Sequence, residues 1–202
     1  MAWDTEATRR ALRDAAAIEF AEHGLEGTTM TRIAQRAGIN KERLYNYFGD
    51  KRALWDTVLG DQLERLASAV TLSGAALDDV GEFAGASFDY HAEHPELARL
   101  LQWEGLDRAP AADAERRTAH YRDKVARLAA AQRDGVLAGG VDPAHLAFAL
   151  IALAAWWHTV PQLAEMVTGA DAGDADERDR RRAFVVEAAR RLATARPSPL
   201  GA

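Results

Sequence analysis

The sequence predicts an all-α protein, and three observations lead to that prediction. Alanine-rich stretches carry apolar residues at helical spacing, runs of β-branched residues are few, and only six prolines interrupt the 202 residues. This length is enough for one small domain and a larger helical domain with its own buried core. Cysteine is absent, which excludes disulfides and thiolate zinc sites.

The first predicted helix runs from about Asp4 to His23 and ends at Gly24. Its apolar residues recur at three- and four-residue spacing and form a stripe that we expect to be buried: Leu12, Ala15, Ala16 and Phe20. Seven charged side chains within residues 1–20 argue against a signal peptide there, so we expect a cytoplasmic protein.

Residues 24–54 predict two short helices joined by a glycine turn. Thr28 and Thr29 are candidate N-caps, because a threonine hydroxyl can accept a hydrogen bond from a first-turn amide. The apolar face of the first short helix consists of Met30, Ile33, Ala34 and Ala37. Gly38 then occupies the position of a left-handed turn residue, and Asn40 caps the next helix. This pattern is typical of a helix-turn-helix, whose second helix is the candidate DNA reader.

The second short helix separates inward from outward side chains. Leu44 and Phe48 form an apolar i, i+4 pair facing the core, and Gly49 ends the helix. The outward side chains can donate to phosphates or base edges: Lys41, Arg43, Tyr45, Asn46 and Tyr47. Residues 27–52 carry six Lys or Arg against Glu42 and Asp50, a net charge of +4, whereas the whole chain carries −6. A local positive patch on an acidic protein indicates a nucleic-acid site; the alternative is a solvated pair of charged helices.

The run TTMTRIAQRAGINKERLYNYFGDKRAL, residues 28–54, closely resembles the N-terminal domain of TetR-type transcriptional regulators. The family pattern falls in register at Ile33-Ala34, Ala37-Gly38, Leu44-Tyr45, Tyr47-Phe48, Lys51 and Leu54. Beyond about the first quarter of the chain, only the helical layout and the length are similar to the family. The sequence departs from the family pattern at two positions: Glu42 stands where glycine is frequent, and Arg43 stands where a small residue is frequent.

The resemblance implies a DNA partner and places the second short helix in a major groove. Phosphate contacts are expected from Thr29, Tyr45, Tyr47 and Lys51. Base contacts are expected from Thr31, Lys41 and Arg43. Arg43 can make a bidentate contact to guanine, while Glu42 can accept from cytosine or repel wrong registers.

Asp50 is predicted to cap a long helix that extends to about Val70 and connects the two domains, with the boundary at 74–78. We expect a DNA-binding domain over 1–50 with the connecting helix 50–73, an effector-binding and dimerisation domain over 74–195, and a disordered tail over 196–202. Five helices are predicted in the second domain: Asp79 to His94, Glu96 to Asp107, Ala114 to Asp134, Ala144 to about Val167, and Asp176 to Thr194.

The stretch 144–164 contains no carboxylate, lysine or arginine, but its continuous apolar part, 146–157, is shorter than the roughly 18 residues that a membrane span requires. A helix that is apolar all round is buried on every side. We expect one side to face its own domain and the other a partner subunit, with the last helix completing the dimeric four-helix bundle that TetR-like proteins use. The candidate interface residues are Leu150, Leu153, Trp157, Val185, Ala189 and Leu192.

A small-molecule effector, mainly apolar, is the second expected partner. The candidate contacts are aromatic and histidine side chains on several predicted helices: Phe88, His91, Trp103, Tyr121, Trp156 and His158. For each of them, core filling is the structural alternative, because aromatic residues dominate cores as well as pockets.

Catalytic patterns are weak, and we predict no enzyme, no metal and no cofactor. Ser87 lacks the second glycine of a nucleophile elbow, and no phosphate loop or dinucleotide fingerprint is present. His91 and His94 have a spacing open to a metal pair, but spacing alone is not coordination. A helical enzyme or small-molecule carrier with an incidental N-terminal resemblance is the alternative. The helix-turn-helix with its positive patch favours the regulator, because an enzyme has no need of it.

Overall fold

The computed structural model describes residues 5–171 and 173–196, and this part of the chain contains ten α-helices and no strand. The helices are α1 Thr5–Gly27, α2 Met30–Ala37, α3 Lys41–Phe48, α4 Lys51–Ala69, α5 Leu77–Glu93, α6 Pro95–Leu106, α7 Ala114–Arg133, α8 Pro143–Thr159, α9 Pro161–Thr168 and α10 Ala175–Ala193. The all-α prediction is therefore confirmed. Asp4, the predicted start of the first helix, and residues 197–202 of the predicted tail lie outside the described residues.

The first compact unit comprises 5–65 and 94–114, so it contains α1 to α3, most of α4, and α6. Helix α1 packs against both α2 and α6. The largest fully buried side chains of this unit are Leu12, Phe20, Ile33, Leu44, Leu54, Trp55, Leu59, Leu97 and Leu100. The rings of Phe20 and Trp55 meet edge to face at 5.2 Å. Helix α6 thus folds with the helix-turn-helix, whereas the domain boundary predicted at 74–78 assigns its residues to the second domain.

Gly24 breaks α1 where the sequence predicts the end of the first helix. Its backbone is left-handed, with φ 66° and ψ 179°. The indole of Trp103 lies directly on it, since a Cβ at this position would stand 2.8 Å from the ring. Trp103 also donates from Nε1 to the carbonyl oxygen of Ala21, over 3.2 Å. The end of α1 and the middle of α6 are therefore joined by a contact that only glycine permits.

The second compact unit comprises 66–93, 115–171 and 173–196. Helix α5 packs against α10 and α8, and α10 also contacts α8. The buried apolar side chains of this unit include Val80, Phe88, Leu128, Leu146, Leu150, Ala154, Val185 and Ala189. Helix α4 crosses from one unit to the other, so the chain itself links them through a continuous helix.

The prediction of a single helix over 144–167 is wrong. The chain forms α8 and α9 with a break at Val160, whose φ of −130° and ψ of 60° are not helical. Pro161 causes the break, because proline clashes with the helical conformation of the residue before it and supplies no backbone N–H. Across the described residues, no single helix is long and apolar enough to cross a membrane; α8 and α9 reach that limit only together, and they are bent by 88°.

Gly24→Ala is expected to lower the free energy of unfolding by about 1–3 kcal/mol, because alanine is strained at this φ and its methyl group overlaps the Trp103 ring. Gly105→Ala in α6 is the matched control. Its added Cβ meets open space, and alanine is the better helix former by about 0.5–1 kcal/mol. Urea denaturation measures the free energy of unfolding of both variants. An unchanged midpoint for Gly24→Ala would contradict this account.

Candidate functional site

Local hydrogen bonds fix both ends of the helix-turn-helix. Thr29 is the N-cap of α2, where its Oγ1 accepts from the backbone N–H of Arg32 at 3.2 Å. Gly38 ends α2 in the left-handed conformation with φ 65°, and Asn40 caps α3 by accepting from Glu42 N–H at 2.8 Å. Thr28 is not a cap; it is buried and donates to the carbonyl oxygen of Glu19 at 3.0 Å.

Helix α3 presents the predicted reading residues on its outer face. Leu44 is fully buried and Phe48 is half-buried, which places the opposite side of α3 in solvent. The exposed residues are Thr31 on α2 and Lys41, Glu42, Tyr45 and Asn46 on α3; Arg43 and Tyr47 are half-buried. We call the solvent-accessible side of α2 and α3 that carries these residues the reading face.

Two cation–aromatic contacts order the reading face. The Nζ of Lys41 lies 5.6 Å from the Tyr45 ring centroid, and the guanidinium of Arg9 lies 5.1 Å from the Tyr47 ring centroid. Each contact contributes about 0.5–1 kcal/mol at an exposed site. Lys51, at the start of α4, donates from Nζ to the carbonyl oxygen of Thr28 at 3.2 Å, so its ammonium group stands beside the turn before α2.

Three of the six Lys or Arg residues within 27–52 are paired with carboxylates that lie outside this range. Arg32 and Arg36 lie 3.1 and 2.7 Å from the carboxylate of Glu19, which is only 4% exposed. Arg52 pairs with Asp107 of α6 at 2.7 Å. These three cations are therefore already balanced, and the net charge of +4 overstates the positive charge of the reading face.

The pairing around Glu19 forms a network that the sequence pattern does not predict. Arg36 also donates to Glu22 at 2.8 Å, and its hydrogen bond to Glu19 is the main cause that raises the pKa of Arg36. His23 contacts the guanidinium of Arg32. Glu19, Glu22 and His23 lie close enough to share a metal ion, but Arg32 and Arg36 already neutralise the two carboxylates.

The six candidate effector residues lie in different parts of the structure. Phe88, His91 and His158 come together in the second unit, where the His158 ring centroid lies 4.7 Å from Phe88 and 6.2 Å from His91. Tyr121 on α7 is 39% exposed and contacts His120. Trp156 is 56% exposed. Only the first three residues form a cluster, which we call the histidine cluster.

Trp103 belongs to the first unit, where it packs on Gly24. Its indole helps to line an open cleft of about 550 Å³ beside the turn after α1. The other lining residues are His23, Leu25, Glu26, Gly27, Trp55, Leu106, Asp107 and Arg108 together with Gly24.

His158 is the polar member of the histidine cluster whose environment is best defined. Burial is the main cause that lowers its pKa from the usual 6.5, and the positive charges of Arg178 and Arg181 lower it further. A hydrogen bond to the backbone of Phe88 and the charge of Asp89 act in the opposite direction. The imidazole is therefore held neutral at pH 7.

The candidate interface residues divide by exposure. Leu150, Val185 and Ala189 are completely buried within their own chain. The other three, Leu153, Trp157 and Leu192, are half-buried. The apolar side chains that α8, α9 and α10 expose are Phe148, Trp156, Leu163, Met166, Val167 and Phe184.

Two family models match this chain and together cover most of it. Residues 12–58 match the model described as bacterial regulatory proteins, tetR family, and residues 79–191 match the tetracyclin repressor-like C-terminal domain. The chain is 40% identical over 193 residues to the HTH-type transcriptional repressor SCO4008 of Streptomyces coelicolor, covering 94% of this chain and 96% of the relative. It is 30% identical over 174 residues to the HTH-type transcriptional regulator RutR of Escherichia coli K12, covering 83% and 82%.

A solved structure supports the same fold. The crystal structure of SCO4942 from Streptomyces coelicolor is 33% identical and superposes with a TM-score of 0.79, covering 92% of this chain and 97% of that one.

When the pH is lowered from 7.5 to 5.5, the free energy of unfolding is expected to fall less in His158→Phe than in the wild type. Because the folded pKa of His158 is lowered, the unfolded chain binds a proton first as the pH falls through about 6.5, and folding stability is lost there. The phenylalanine variant lacks this contribution. Urea midpoints at the two pH values measure it, with exposed His145→Phe on the same helix as the control. An equal pH dependence in wild type and His158→Phe would contradict the prediction.

Proposed function

Because this chain belongs to the TetR family of DNA-binding transcriptional regulators, we propose that it is a homodimeric repressor that leaves a palindromic operator when a small, mainly apolar effector binds. The observation that carries the DNA-binding part is the capped α2–α3 pair, which leaves Lys41, Tyr45 and Asn46 exposed and Arg43 half-buried while Leu44 is buried. Selection of bound fragments from genomic DNA tests this function and yields the operator.

Helix α3 is proposed to lie in the major groove, with phosphate contacts from Thr29, Tyr45, Tyr47 and Lys51. Two of these side chains are already held in place, since Tyr47 stacks with Arg9 and Lys51 is bonded to the Thr28 carbonyl. Held side chains lose less conformational entropy when they bind a phosphate. The exposed N-terminal part of α2 adds Thr31.

Base recognition is proposed for Lys41, Arg43 and Thr31. Guanine presents two acceptors in the major groove, which the Arg43 guanidinium can meet with two parallel N–H groups. Glu42 is exposed beside it, and its carboxylate accepts from cytosine or repels a wrong register.

The homodimer is proposed to use the exposed apolar residues of α8 and α10. On α8, Phe148, Ala152 and Trp156 are spaced by four residues and are all exposed, so they form one stripe. Phe148 is 74% exposed, and both Trp156 and Phe184 of α10 are 56% exposed. Large apolar patches of this kind mark interaction sites, and the small Ala152 leaves room for a partner helix. A two-fold dimer places the reading helices about 34–36 Å apart on a palindrome.

The effector is proposed to bind in the second unit at the histidine cluster, where polar imidazoles stand among apolar walls. The continuous α4 links that unit to the helix-turn-helix, so a rearrangement at its C-terminal end is transmitted along the chain. An effector releases DNA only if it binds the DNA-incompetent arrangement more tightly, with a typical coupling of about 1–3 kcal/mol. A screen of apolar compounds for release of bound operator DNA tests this part.

Arg43→Ala is expected to relax operator preference at one base position by about 1–3 kcal/mol, whereas Lys51→Ala is expected to weaken all sequences alike. Lys51→Ala should also reduce the dependence of log affinity on log salt concentration by about one per reading face. The neighbouring Arg52→Ala is the control, because Arg52 pairs with Asp107 and should leave the salt dependence unchanged. Fluorescence anisotropy with operator DNA measures these effects, and an unaltered base preference in Arg43→Ala would rule out its reading role.

Phe148→Glu is expected to dissociate the dimer, because a carboxylate would be buried in an apolar interface at a cost of at least about 2 kcal/mol per side chain. His145→Glu, one turn earlier on α8, is the control, since its side chain is 85% exposed and a carboxylate is favourable in a first helical turn. Sedimentation velocity distinguishes monomer from dimer. A Phe148→Glu protein that remains a dimer would place the interface elsewhere.

A further inference from the structure

Lysine is rare in this chain, which contains three lysines against 22 arginines. Lys41 and Lys51 belong to the first unit, and Lys124 on α7 belongs to the second. Arginine stays protonated in proteins, whereas the pKa of a lysine shifts readily when its amine is buried. The chemistry of Lys124 therefore depends on what surrounds its amine.

The Lys124 amine lies over an aromatic ring. The side chain is half-buried, and its Nζ is 4.8 Å from the ring centroid of Phe83 on α5. Phe83 is 5% exposed, so its ring takes the place of water on that side of the amine. Across the described residues, no ion pair joins Lys124 to a carboxylate. The amine is thus partly removed from water and yet still open to solvent.

Two neighbours share one side of α7 with Lys124, because His120, Lys124 and Arg127 recur at a spacing of four and three residues. Burial is the main cause that lowers the pKa of Lys124 from the usual 10.5, and the positive charge of Arg127 lowers it further. The pKa of His120 is lowered from 6.5 by burial and by the charge of Lys124, while Asp123 raises it. Desolvation and a neighbouring cation are two ways in which a lysine becomes a nucleophile, since both favour the free amine.

Arg127 indicates which class of electrophile can approach. Its side chain is exposed, and it forms no ion pair with a carboxylate in the part of the chain that the structure describes. A guanidinium binds phosphate with two parallel N–H groups. A small phosphate ester or anhydride held by Arg127 has its reactive carbon within reach of the Lys124 amine, one helical turn away. The donor that fits both groups is an acyl phosphate, because its phosphate is the binding handle and also the leaving group.

We propose that Lys124 is an acylation site that takes its acyl group from acyl phosphates, with Arg127 binding the phosphate. The free amine of Lys124 attacks the acyl carbon, and the bond from that carbon to the bridging phosphate oxygen breaks. The electron pair and the amine proton leave with the phosphate as hydrogen phosphate. The product is a neutral amide, which ends the cation–aromatic contact between α7 and α5. This reaction needs neither DNA nor an effector, so it goes beyond the proposed function.

The experiment incubates the full-length protein with acetyl phosphate at pH 8 and follows acetylation of each lysine by peptide mass spectrometry. Lys41 and Lys51 are comparators within the same molecule, so all three rates come from one sample. We expect Lys124 to be acetylated at least about threefold faster than either of them. In concentrated urea the three rates should become similar, because the unfolded chain no longer desolvates the amine.

A neutral acetyl donor, p-nitrophenyl acetate, separates phosphate binding from activation of the amine. Arg127→Gln should slow acetylation of Lys124 by acetyl phosphate several-fold more than acetylation by the neutral ester, because only the first donor has a phosphate for Arg127 to bind. Arg122→Gln is the matched control, since Arg122 is exposed on the opposite side of α7 and should leave both rates unchanged. Added inorganic phosphate should slow the reaction with acetyl phosphate and not the reaction with the ester.

Three results would overturn the proposal. Acetylation of Lys124 no faster than that of Lys41 would show that its surroundings do not activate the amine. A rate advantage that persists in concentrated urea would belong to the local sequence and not to the contact with Phe83. Equal slowing of both donors by Arg127→Gln would remove the phosphate-binding role and with it the choice of an acyl phosphate.

Discussion

The reading face depends on a buried carboxylate. Glu19 is 4% exposed, and a charge at that depth requires a partner because desolvation is expensive. Arg36 and Arg32 supply it from α2, while the Glu19 carbonyl receives the hydroxyl of Thr28 from the turn before α2. These contacts fix α2 and its entry turn on α1. Since α3 follows through Gly38 and buries Leu44, its outward side depends on the same network.

The network also decides which cations remain for a nucleic acid. An arginine paired with Glu19 releases few counterions from a phosphate, because its charge is already balanced inside the protein. The chain carries −6 overall, so the attraction to DNA must be local and short-ranged at physiological salt. In the proposed function, Lys41, Arg43 and Lys51 supply this local charge on the reading face. Arg52 does not, because Asp107 neutralises it, although it directly follows Lys51 in the sequence.

Local signals allowed most helix boundaries and three caps of the helix-turn-helix to be predicted, because Thr29, Gly38 and Asn40 act within a few residues of their own position. Contacts between distant segments were not predictable in this way. Glu19 pairs with Arg36 across 17 residues, and nothing in the pattern of either helix indicates it. The break at Val160 was predictable, since the residue before Pro161 is restricted in the same way as His94 before Pro95. Which side of α8 faces the core was not predictable, because an apolar helix has no polar side that would identify the solvent-exposed one.

Because α8 is apolar all round, its sequence does not distinguish the side proposed to contact a partner from the side proposed to contact an effector. Successive residues of a helix are rotated by about 100°, so Leu150 points roughly opposite to Phe148. Leu150 and Ala154 fill the core, Phe148 and Trp156 are exposed, and His158 meets α5 at the bend. In the proposed function, one rigid helix therefore carries both the partner-contacting stripe and the effector-contacting imidazole. In that proposal, a ligand that displaces the end of α8 also changes the geometry of the dimer. By linkage, any change in dimer affinity caused by the effector must be matched by an equal change in effector affinity caused by dimerisation.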